Sequence, residues 1–269
     1  MSVAAHDGGA VIEFRSLRKA FGNQPVLRGV DLRVPAGETL TILGGSGSGK
    51  SVCLKHMIGL LKPESGRVFV FGEDITDHTE HELVPVRTRV SMVFQSAALF
   101  DSLTVYENVA YPLREHRDWK ESRIAERVRE CLDAVGLVGV ERLMPAELSG
   151  GMRKRVGVAR GIALEPQVIL YDEPTTGLDP ANQRRVGELI RSLQERLQVT
   201  SVVVTHELEL CFSVSDRVAL LKDGRIAVEG TAAEMKTSEH PEVRAFIAGV
   251  QDSTAAGSAE AVDGGRDGS

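Results

Sequence analysis

Several features that would point to particular classes of protein are scarce in this sequence. Aromatic residues make up only 4% of it, which argues against a stacking platform for single-stranded nucleic acid. The net charge of -6 provides no overall basic surface for DNA or RNA, so we expect no nucleic-acid partner. The three cysteines, Cys53, Cys131 and Cys211, are widely spaced and odd in number. They therefore indicate neither a disulfide framework nor a zinc site.

Long apolar runs are missing as well. No stretch approaches the roughly 20 apolar residues that are needed to span a bilayer. The first residues, MSVAAHDGGA, lack the basic and apolar regions of a signal peptide. We therefore expect a cytoplasmic protein. If it works at a membrane, another polypeptide must supply the membrane-spanning part.

The pattern that is present predicts an α/β fold. Two apolar segments, QVILYDEP and TSVVVTHE, are nearly continuous, as in strands of a parallel sheet that is covered on both faces. Between Gln95 and about Glu165 the pattern becomes helical, and ESRIAERVRECLDAVGL places its apolar residues on one face. Asp223 and Gly224 predict a hairpin turn. The other segments that predict strands are VIEF, VLRGVDLRV, TLTIL, GRVFVFG and RVSMVFQ.

The two ends of the chain differ from the middle. We expect residues 1–10 to form a flexible leader and residues 231–250 to form a short helical end. Residues 251–269 are rich in Ala, Gly, Ser and Asp, which predicts a disordered acidic tail. The folded domain is therefore expected to cover residues 11–250.

A glycine-rich loop, GGSGSGKS, carries the strongest chemical signal. It fits the pattern G-x-x-x-x-G-K-[ST] without a gap. The strand TLTIL precedes it and the amphipathic helix SVCLKHMIGLL follows, whereas a flexible glycine-serine linker would not be flanked in this way. Backbone N–H groups of such a loop turn toward phosphate, while Lys50 reaches the β and γ oxygens and the Ser51 hydroxyl ligates Mg²⁺. The loop residues predicted to bind a nucleoside triphosphate are Gly44, Gly45, Ser46, Gly47, Ser48, Gly49, Lys50 and Ser51.

Two carboxylates and a histidine follow predicted strands. Asp172, at the end of VILY, is placed to hold Mg²⁺, and Glu173 beside it is placed to deprotonate an attacking water. A lone aspartate is commonly a helix cap or a turn residue, but this one accompanies a phosphate-binding loop. His206 follows the strand SVVVT, and ligands of open α/β sheets bind at the carboxyl ends of strands. We predict that Glu173, His206 and Lys50 are catalytic, with a structural role as the alternative for His206.

A second stretch, AELSGGMRKR, also has the character of a phosphate site. Ser149, Gly150 and Gly151 precede arginine and lysine near the start of a predicted helix. Positive side chains at that end oppose the helix dipole, and an external anion would relieve the conflict. One chain thus carries two phosphate-binding signals, although it contains a single glycine-rich loop that ends in lysine.

The order and spacing of these segments resemble those of the ATP-binding-cassette (ABC) ATPases, from about Val11 to Gly230. ELSGGM is similar to the signature motif of that family, VFQ to its Q-loop and VILYDEP to its second nucleotide motif. TGLDP resembles its D-loop and VTHE its switch-histidine loop. The resemblance implies a P-loop NTPase cassette with a RecA-like parallel-sheet core, an antiparallel β subdomain and an inserted α-helical subdomain over about residues 96–160.

The resemblance also implies the remaining site residues. Phe21 would lie against adenine, with a place in the core as the alternative. Gln95 of the Q-loop joins Ser51 and Asp172 as an expected Mg²⁺ ligand, and Asp179 lies in the D-loop. In this family two subunits meet head to tail, so that each ATP lies between the P-loop of one chain and the signature motif of the other. The residues expected to contact ATP that is held by a second copy are Ser149, Gly150, Gly151 and Met152.

Two positions depart from the family pattern. Met152 stands where the signature motif usually ends in glutamine, and Val52 follows the P-loop serine where many members have threonine. Both still belong to the expected nucleotide site, but each lacks one polar contact. Neither change affects the expected base or metal ligands, so we expect activity to be retained.

Longer segments resemble the ATPases of bacterial Mla/Mce-type lipid transporters. They are GGSGSGKSVCLKHMIGLLKPESG, VSMVFQSAALFDSLTVYENVAYPLREH and ELSGGMRKRVGVARGIALEPQVILYDEPTTGLDP. This resemblance implies an energising subunit on the cytoplasmic face of the inner membrane, bound to a multi-span permease and an Mce-domain lipid-binding protein. The helical subdomain of this family receives a helix of the permease. Residues that would line its groove, or alternatively pack the subdomain itself, are Ala97, Ala98, Leu99, Phe100 and Leu103.

Two other functions remain open from the sequence. The same ATPase could drive a transporter for another small molecule, because lipid transporters and transporters of other small molecules share this ATP-hydrolysing subunit. A soluble cassette ATPase of DNA repair or translation fits less well, since the chain has one cassette. The region between Gln95 and Ser149 contains Pro112 and Pro145 and lacks the sustained heptads of a long coiled coil.

Overall fold

The computed structural model describes residues 9–250, so the predicted acidic tail and almost all of the predicted leader lie outside the described residues. In chain order the strands are β1 (Ala10–Phe21), β2 (Gln24–Pro35), β3 (Thr39–Leu43), β4 (Ser65–Val70), β5 (Glu73–Asp74), β6 (Val90–Val93), β7 (Val168–Asp172), β8 (Thr200–Thr205), β9 (Arg217–Lys222) and β10 (Arg225–Thr231). The helices are α1 (Lys50–Met57), α2 (Glu80–Arg89), α3 (Val105–His116), α4 (Glu121–Ala134), α5 (Gly150–Ile162), α6 (Pro180–Leu197), α7 (Leu208–Val214) and α8 (Ala232–Lys236).

The strands form two sheets within the described residues. The larger sheet has six strands in the order β10-β9-β3-β8-β7-β6. Its strands from β9 to β6 are parallel, and β10 pairs antiparallel with β9. The smaller sheet is antiparallel, with the order β2-β1-β4-β5. The predicted α/β fold, with a parallel core and an antiparallel β subdomain, is therefore confirmed.

The parallel sheet is buried on both faces, which explains why its strands are almost continuously apolar. Side chains of a strand alternate between the two faces of a sheet. In β7, Val168 and Leu170 join the cluster that contains α1 and the antiparallel sheet. Ile169 and Tyr171 join the cluster that contains α3 to α6. The parallel sheet therefore lies between the two halves of the core.

Helices α3, α4 and α5 pack against one another and form a helical unit beside the parallel sheet. Helix α3 starts with a capping box, in which Thr104 and Glu107 each satisfy a backbone N–H of the other. Asn108 is fully buried, and its side chain binds the backbone of Phe100, Leu103 and Thr104. Among the described residues, no helix combines the length and the apolar character that a membrane crossing requires.

Several elements differ from the sequence predictions. Strand β1 reaches Phe21 because it pairs along its whole length with β2, whereas only VIEF was predicted as a strand. Helix α1 ends at Met57 rather than at Leu61. No element was assigned to residues 180–197, which form α6, although Asp179 followed by Pro180 is a helix-start signal.

Candidate nucleotide-binding site

The glycine-rich loop connects β3 with α1, as the sequence predicts. Gly49 is the N-cap of α1 and has a φ of 105°, a left-handed conformation that favours glycine. A Cβ on Gly49 would lie 2.9 Å from Leu27 Cδ2, so a larger residue would also collide with β2. No side chain among the described residues caps this helix end. The first amides of α1 are therefore available to bind an anion.

Lys50 supplies the positive charge of this loop. Its side chain is 5% exposed, and Nζ donates to the carbonyl oxygens of Gly44 at 2.9 Å and Gly45 at 3.0 Å. Nζ also lies 3.2 Å from Glu173 Oε1. The ammonium group is thus held between the loop and the end of β7, within reach of negatively charged oxygens.

Ser51 and Asp172 form a second link between the loop and β7. Ser51 Oγ donates to Asp172 Oδ1 at 2.7 Å. Burial raises the pKa of the Asp172 carboxyl group above its ordinary value, although the hydrogen bond from Ser51 lowers it. A hydroxyl and a carboxylate oxygen side by side are the type of ligands that Mg²⁺ accepts together with substrate phosphates. These two side chains fit the magnesium site that the sequence predicts.

Glu173 follows β7 in a strained backbone conformation. Its φ is 46°, which non-glycine residues adopt rarely and often at functional sites. Its N–H donates to the Val204 carbonyl at 3.0 Å, which ties the strained residue to β8. Its carboxylate lies between Lys50 Nζ, 3.2 Å from Oε1, and His206 Nδ1, 2.9 Å from Oε2. The predicted catalytic residues Lys50 and His206 therefore both contact the third, Glu173.

These side chains share one cleft of about 580 Å³, with Asp172 directly behind Ser51. Gln95 reaches the same cleft from the loop after β6. Val26 of β2 and Thr176 also line it, although the sequence analysis did not select them. Thr176 opens the TGLDP segment and so had a signal, whereas only the tertiary structure places Val26 here. The lining residues are Val26, Ser46, Gly47, Ser48, Gly49, Lys50, Ser51, Val52, Gln95, Glu173, Thr176 and His206.

Phe21 lies at the end of β1 and does not line this cleft. Its side chain is 50% exposed, and Lys19 Nζ lies 5.5 Å from the ring centroid. This exposure excludes the alternative that Phe21 belongs to the core. The ring therefore has a face that can stack on a planar ligand.

The signature segment lies away from the cleft. Ser149 is exposed and forms the N-cap of α5, where its Oγ accepts from the Met152 N–H at 3.2 Å. Gly151 is buried against α6, since a Cβ there would lie 3.2 Å from Asn182 Oδ1. Asp179 caps α6 through the Asn182 N–H. None of the predicted residues of the signature segment, nor Asp179, lines the cleft that contains Lys50.

The cations near the start of α5 have partners within the chain. Arg153 Nη1 donates to the Leu148 carbonyl at 2.6 Å. Lys154 Nζ donates to the Thr176 carbonyl at 2.8 Å, and burial lowers the pKa of this lysine. Backbone carbonyls of the same chain thus already bind these two cations, while binding of an external anion at this helix end stays a prediction.

A second, more apolar groove lies between the parallel sheet and the helical unit. Phe100 and Tyr111 are both exposed there, and their ring centroids are 5.0 Å apart. Ala98 and Phe100 line this groove, as predicted. Ala97 is instead buried against α5, and Leu99 packs onto the helical core. The predicted residues that do not line the groove are Ala97, Leu99 and Leu103.

A glycine-rich loop that ends in lysine and serine connects a strand with a helix and faces carboxylates at the end of a parallel strand. This arrangement defines a P-loop nucleotide-binding protein. The family model described as ABC transporter matches residues 27–176. The chain belongs to the ABC transporter family and is an ATP-hydrolysing subunit of a transporter.

Relatives and solved structures agree with this assignment. The chain is 43% identical to the probable ribonucleotide transport ATP-binding protein mkl of Mycobacterium leprae, over 90% of this chain and 70% of that protein. It is 40% identical to the intermembrane phospholipid transport system ATP-binding protein MlaF of Escherichia coli K12, over 90% of each chain.

Two solved structures share the fold. One is cbiO1 of Clostridium perfringens, part of the transporter complex cbiONQ, with a TM-score of 0.79 and 29% identity over 86% of this chain and 92% of that chain. The other is a dimeric ATP-binding cassette in a post-hydrolysis state, bound to ADP and phosphate, with a TM-score of 0.76 and 32% identity over 82% of this chain and 98% of that chain.

Proposed function

We propose that the cleft binds ATP with Mg²⁺ and that its hydrolysis drives a lipid transporter of the MlaF type. The observation that carries the catalytic part is the contact of Glu173 with both Lys50 and His206, at 3.2 and 2.9 Å. In this proposal Glu173 accepts a proton from the attacking water. His206 contacts the γ-phosphate, and Lys50 binds the β and γ oxygens.

Other residues in the cleft and outside it bind and orient the nucleotide in this proposal. Loop amides from Gly45 to Lys50 surround the β-phosphate, and Phe21 stacks on adenine. Ser51 and Asp172, 2.7 Å apart, hold Mg²⁺ together with Gln95. The ion neutralises charge that develops on the phosphates.

A second copy of the chain completes each ATP site in this proposal. The exposed end of α5, at Ser149, and the D-loop aspartate Asp179 lie outside the cleft of their own chain. A head-to-tail dimer would bring them onto ATP that the partner holds. The dimeric cassette at 32% identity supports this arrangement. Binding of ATP would then close the dimer, and hydrolysis would reset it.

The substrate proposed here is phospholipid. The chain aligns with MlaF of E. coli over 90% of both proteins, whereas it aligns with 70% of the mkl protein. By analogy we place this chain on the cytoplasmic face of the inner membrane, where it is bound to a multi-span permease and an Mce-domain lipid-binding protein.

The groove beside the helical unit is the surface that we assign to the permease. Its exposed rings, Phe100 and Tyr111, provide apolar area, while its charged and titratable lining residues are Arg87, His116 and Arg160. No acidic residue is among the described residues that line it. An apolar helix with an acidic residue would therefore match it. We take the folded cassette as residues 11–250, with its helical subdomain over about residues 96–160.

Purification from native membranes tests the substrate and the partners. The chain is tagged at its N-terminus and extracted in mild detergent, and the proteins and lipids that accompany it are identified by mass spectrometry. We expect a multi-span permease, an Mce-domain protein and enriched phospholipid. A permease accompanied by a different substrate-binding protein would keep the ATPase but refute the lipid substrate. The matched control is the Phe100→Asp variant, which should lose the permease while it retains ATP binding.

A further inference from the structure

Directly after Gln95 the chain makes a turn that its own residues disfavour. Ala97 and Ala98 have φ angles of 62° and 46°, so two consecutive alanines adopt the left-handed conformation. Side chains with a Cβ rarely adopt it, and they remain there only when the surroundings impose it. The turn separates Gln95, in the cleft, from Phe100, in the groove.

Helix α5 imposes this turn through two contacts. Arg160 Nη2 donates to the Ala97 carbonyl and Nη1 donates to the Ala98 carbonyl, both at 2.8 Å. One turn earlier on the helix, a Cβ on Gly157 would lie 3.0 Å from Ala97 Cβ. Ala97 is 1% exposed as a result. A planar guanidinium fits two neighbouring carbonyls in a way that a single ammonium group cannot.

The charge of Arg160 has no carboxylate partner among the described residues. Burial lowers its pKa, and none of the ion pairs in residues 9–250 includes it. Its stabilising neighbours are the two carbonyls and the Phe100 ring, whose centroid lies 5.8 Å from Cζ. The hydrogen bonds of this partly buried cation thus all go to the carbonyls of the turn after Gln95, which it holds in shape.

We infer that Arg160 is a positioning residue, which holds Gln95 in the nucleotide cleft by binding the carbonyls of Ala97 and Ala98. The inference rests on the proposed role of Gln95 in ATP hydrolysis. Because Arg160 belongs to α5, whose N-cap is Ser149, it also connects the signature segment with the cleft of the same chain.

The first test is Arg160→Lys, which keeps the charge but loses the forked pair of donors. Steady-state ATP hydrolysis by the purified chain should show kcat reduced on the order of tenfold, since small misplacements of catalytic groups have effects of this size or larger. The KM for ATP should remain within about twofold, because the phosphate-binding loop is unchanged.

Arg127 provides a matched control on the same helix unit. Its guanidinium donates to the carbonyls of Ala163 and Ile162 at 3.1 and 2.8 Å, but it does not touch the turn after Gln95. Arg127→Lys should lower the thermal unfolding midpoint as much as Arg160→Lys does, while kcat stays near that of the wild type. Equal losses of kcat in both variants would mean that Arg160 has only a structural role, and would overturn the inference.

A double-mutant cycle separates this inference from the proposed function. If Arg160 acts through Gln95, then the double variant Gln95→Ala with Arg160→Lys should have the same kcat as Gln95→Ala alone. Losses that multiply would refute the role of Arg160 and leave that of Gln95 intact. A Gln95→Ala variant with wild-type kcat would instead refute the proposed role of Gln95, and this inference with it.

Discussion

Two glycine-containing segments of this chain lead into helices, but they have opposite surroundings. The glycine-rich segment leads into α1 at Lys50, which is buried and touches the carboxylate of Glu173. The segment before α5 ends in Ser149, which is exposed and whose Oγ accepts from the Met152 N–H of its own helix. No side chain of the described residues caps α1, whereas the Ser149 side chain caps α5.

This difference shows where a nucleotide can be bound by one chain and where a second chain is needed. Around α1, the chain itself supplies the Lys50 cation, a hydroxyl and carboxylates within direct contact distance. Around α5, the nearby cations are bound by carbonyls of the same chain. The α5 end therefore offers mainly backbone and a serine hydroxyl toward the outside, which suits a ligand that another chain already holds.

The largest effect is expected from Glu173→Gln. Removal of the general base should slow ATP hydrolysis by on the order of 10²–10⁴, while ATP affinity, measured by titration calorimetry, stays close to that of the wild type. Phosphate release measures the rate. Glu209→Gln, an exposed glutamate on α7, is the control and should remain active. Near wild-type turnover of Glu173→Gln in the permease complex would remove Glu173 from this role.

The next largest effect compares a variant at the start of α1 with a variant at the N-cap of α5. Lys50→Ala and Ser149→Arg should each abolish hydrolysis, the first through the cleft and the second because it blocks approach of the partner. Binding of ATP to Ser149→Arg monomers should be nearly unchanged.

Mixing these two variants gives the sharpest outcome. In a head-to-tail dimer of the two variants, one site combines both defects and the other is intact. An equal mixture should therefore regain on the order of a quarter of wild-type hydrolysis. No recovery, together with lost ATP binding by Ser149→Arg, would contradict the two-chain account of α5.

A smaller effect is expected at the groove. Phe100→Ala should weaken binding to the permease by on the order of tenfold, since exposed aromatic side chains often dominate an interface. Nucleotide binding by the isolated chain should not change, because Phe100 does not line the cleft. Val138→Ala, at an exposed position outside the groove, is the control. Co-purification from detergent extracts measures the difference.

The smallest effect concerns the pH dependence of stability, and it involves a histidine of α1, the helix that follows the phosphate-binding loop. His56 of α1 is buried, and burial lowers its pKa, with an opposing contribution from the hydrogen bond between Nδ1 and the Val52 carbonyl. The folded state thus binds fewer protons than the unfolded chain. Its contribution to stability is complete above the unfolded pKa near 6.5 and falls as the pH drops below it. Thermal unfolding between pH 5 and 8 should therefore be less pH-dependent in His56→Gln.

The sequence by itself determined the class of the protein and indicated most of the residues that line the cleft. The loop from Gly44 to Ser51 is contiguous, so its pattern contains both the strand–loop–helix order and the chemistry of phosphate binding. Asp172, Glu173 and His206 end apolar strands, and parallel strands bring their carboxyl ends to one edge of a sheet. Local patterns of this kind need no knowledge of distant contacts.

The tertiary structure alone decided which residues face each other across the chain. The contact of Lys50 with Glu173, the place of Val26 in the cleft, and the burial of Ala97 beneath Arg160 join segments that are far apart in sequence. No local pattern distinguishes a buried alanine from one that lines a groove. The length of β1 and the partners of the α5 cations were likewise decided by pairing and packing, because cross-strand bonds and backbone carbonyls become available only once the chain has folded.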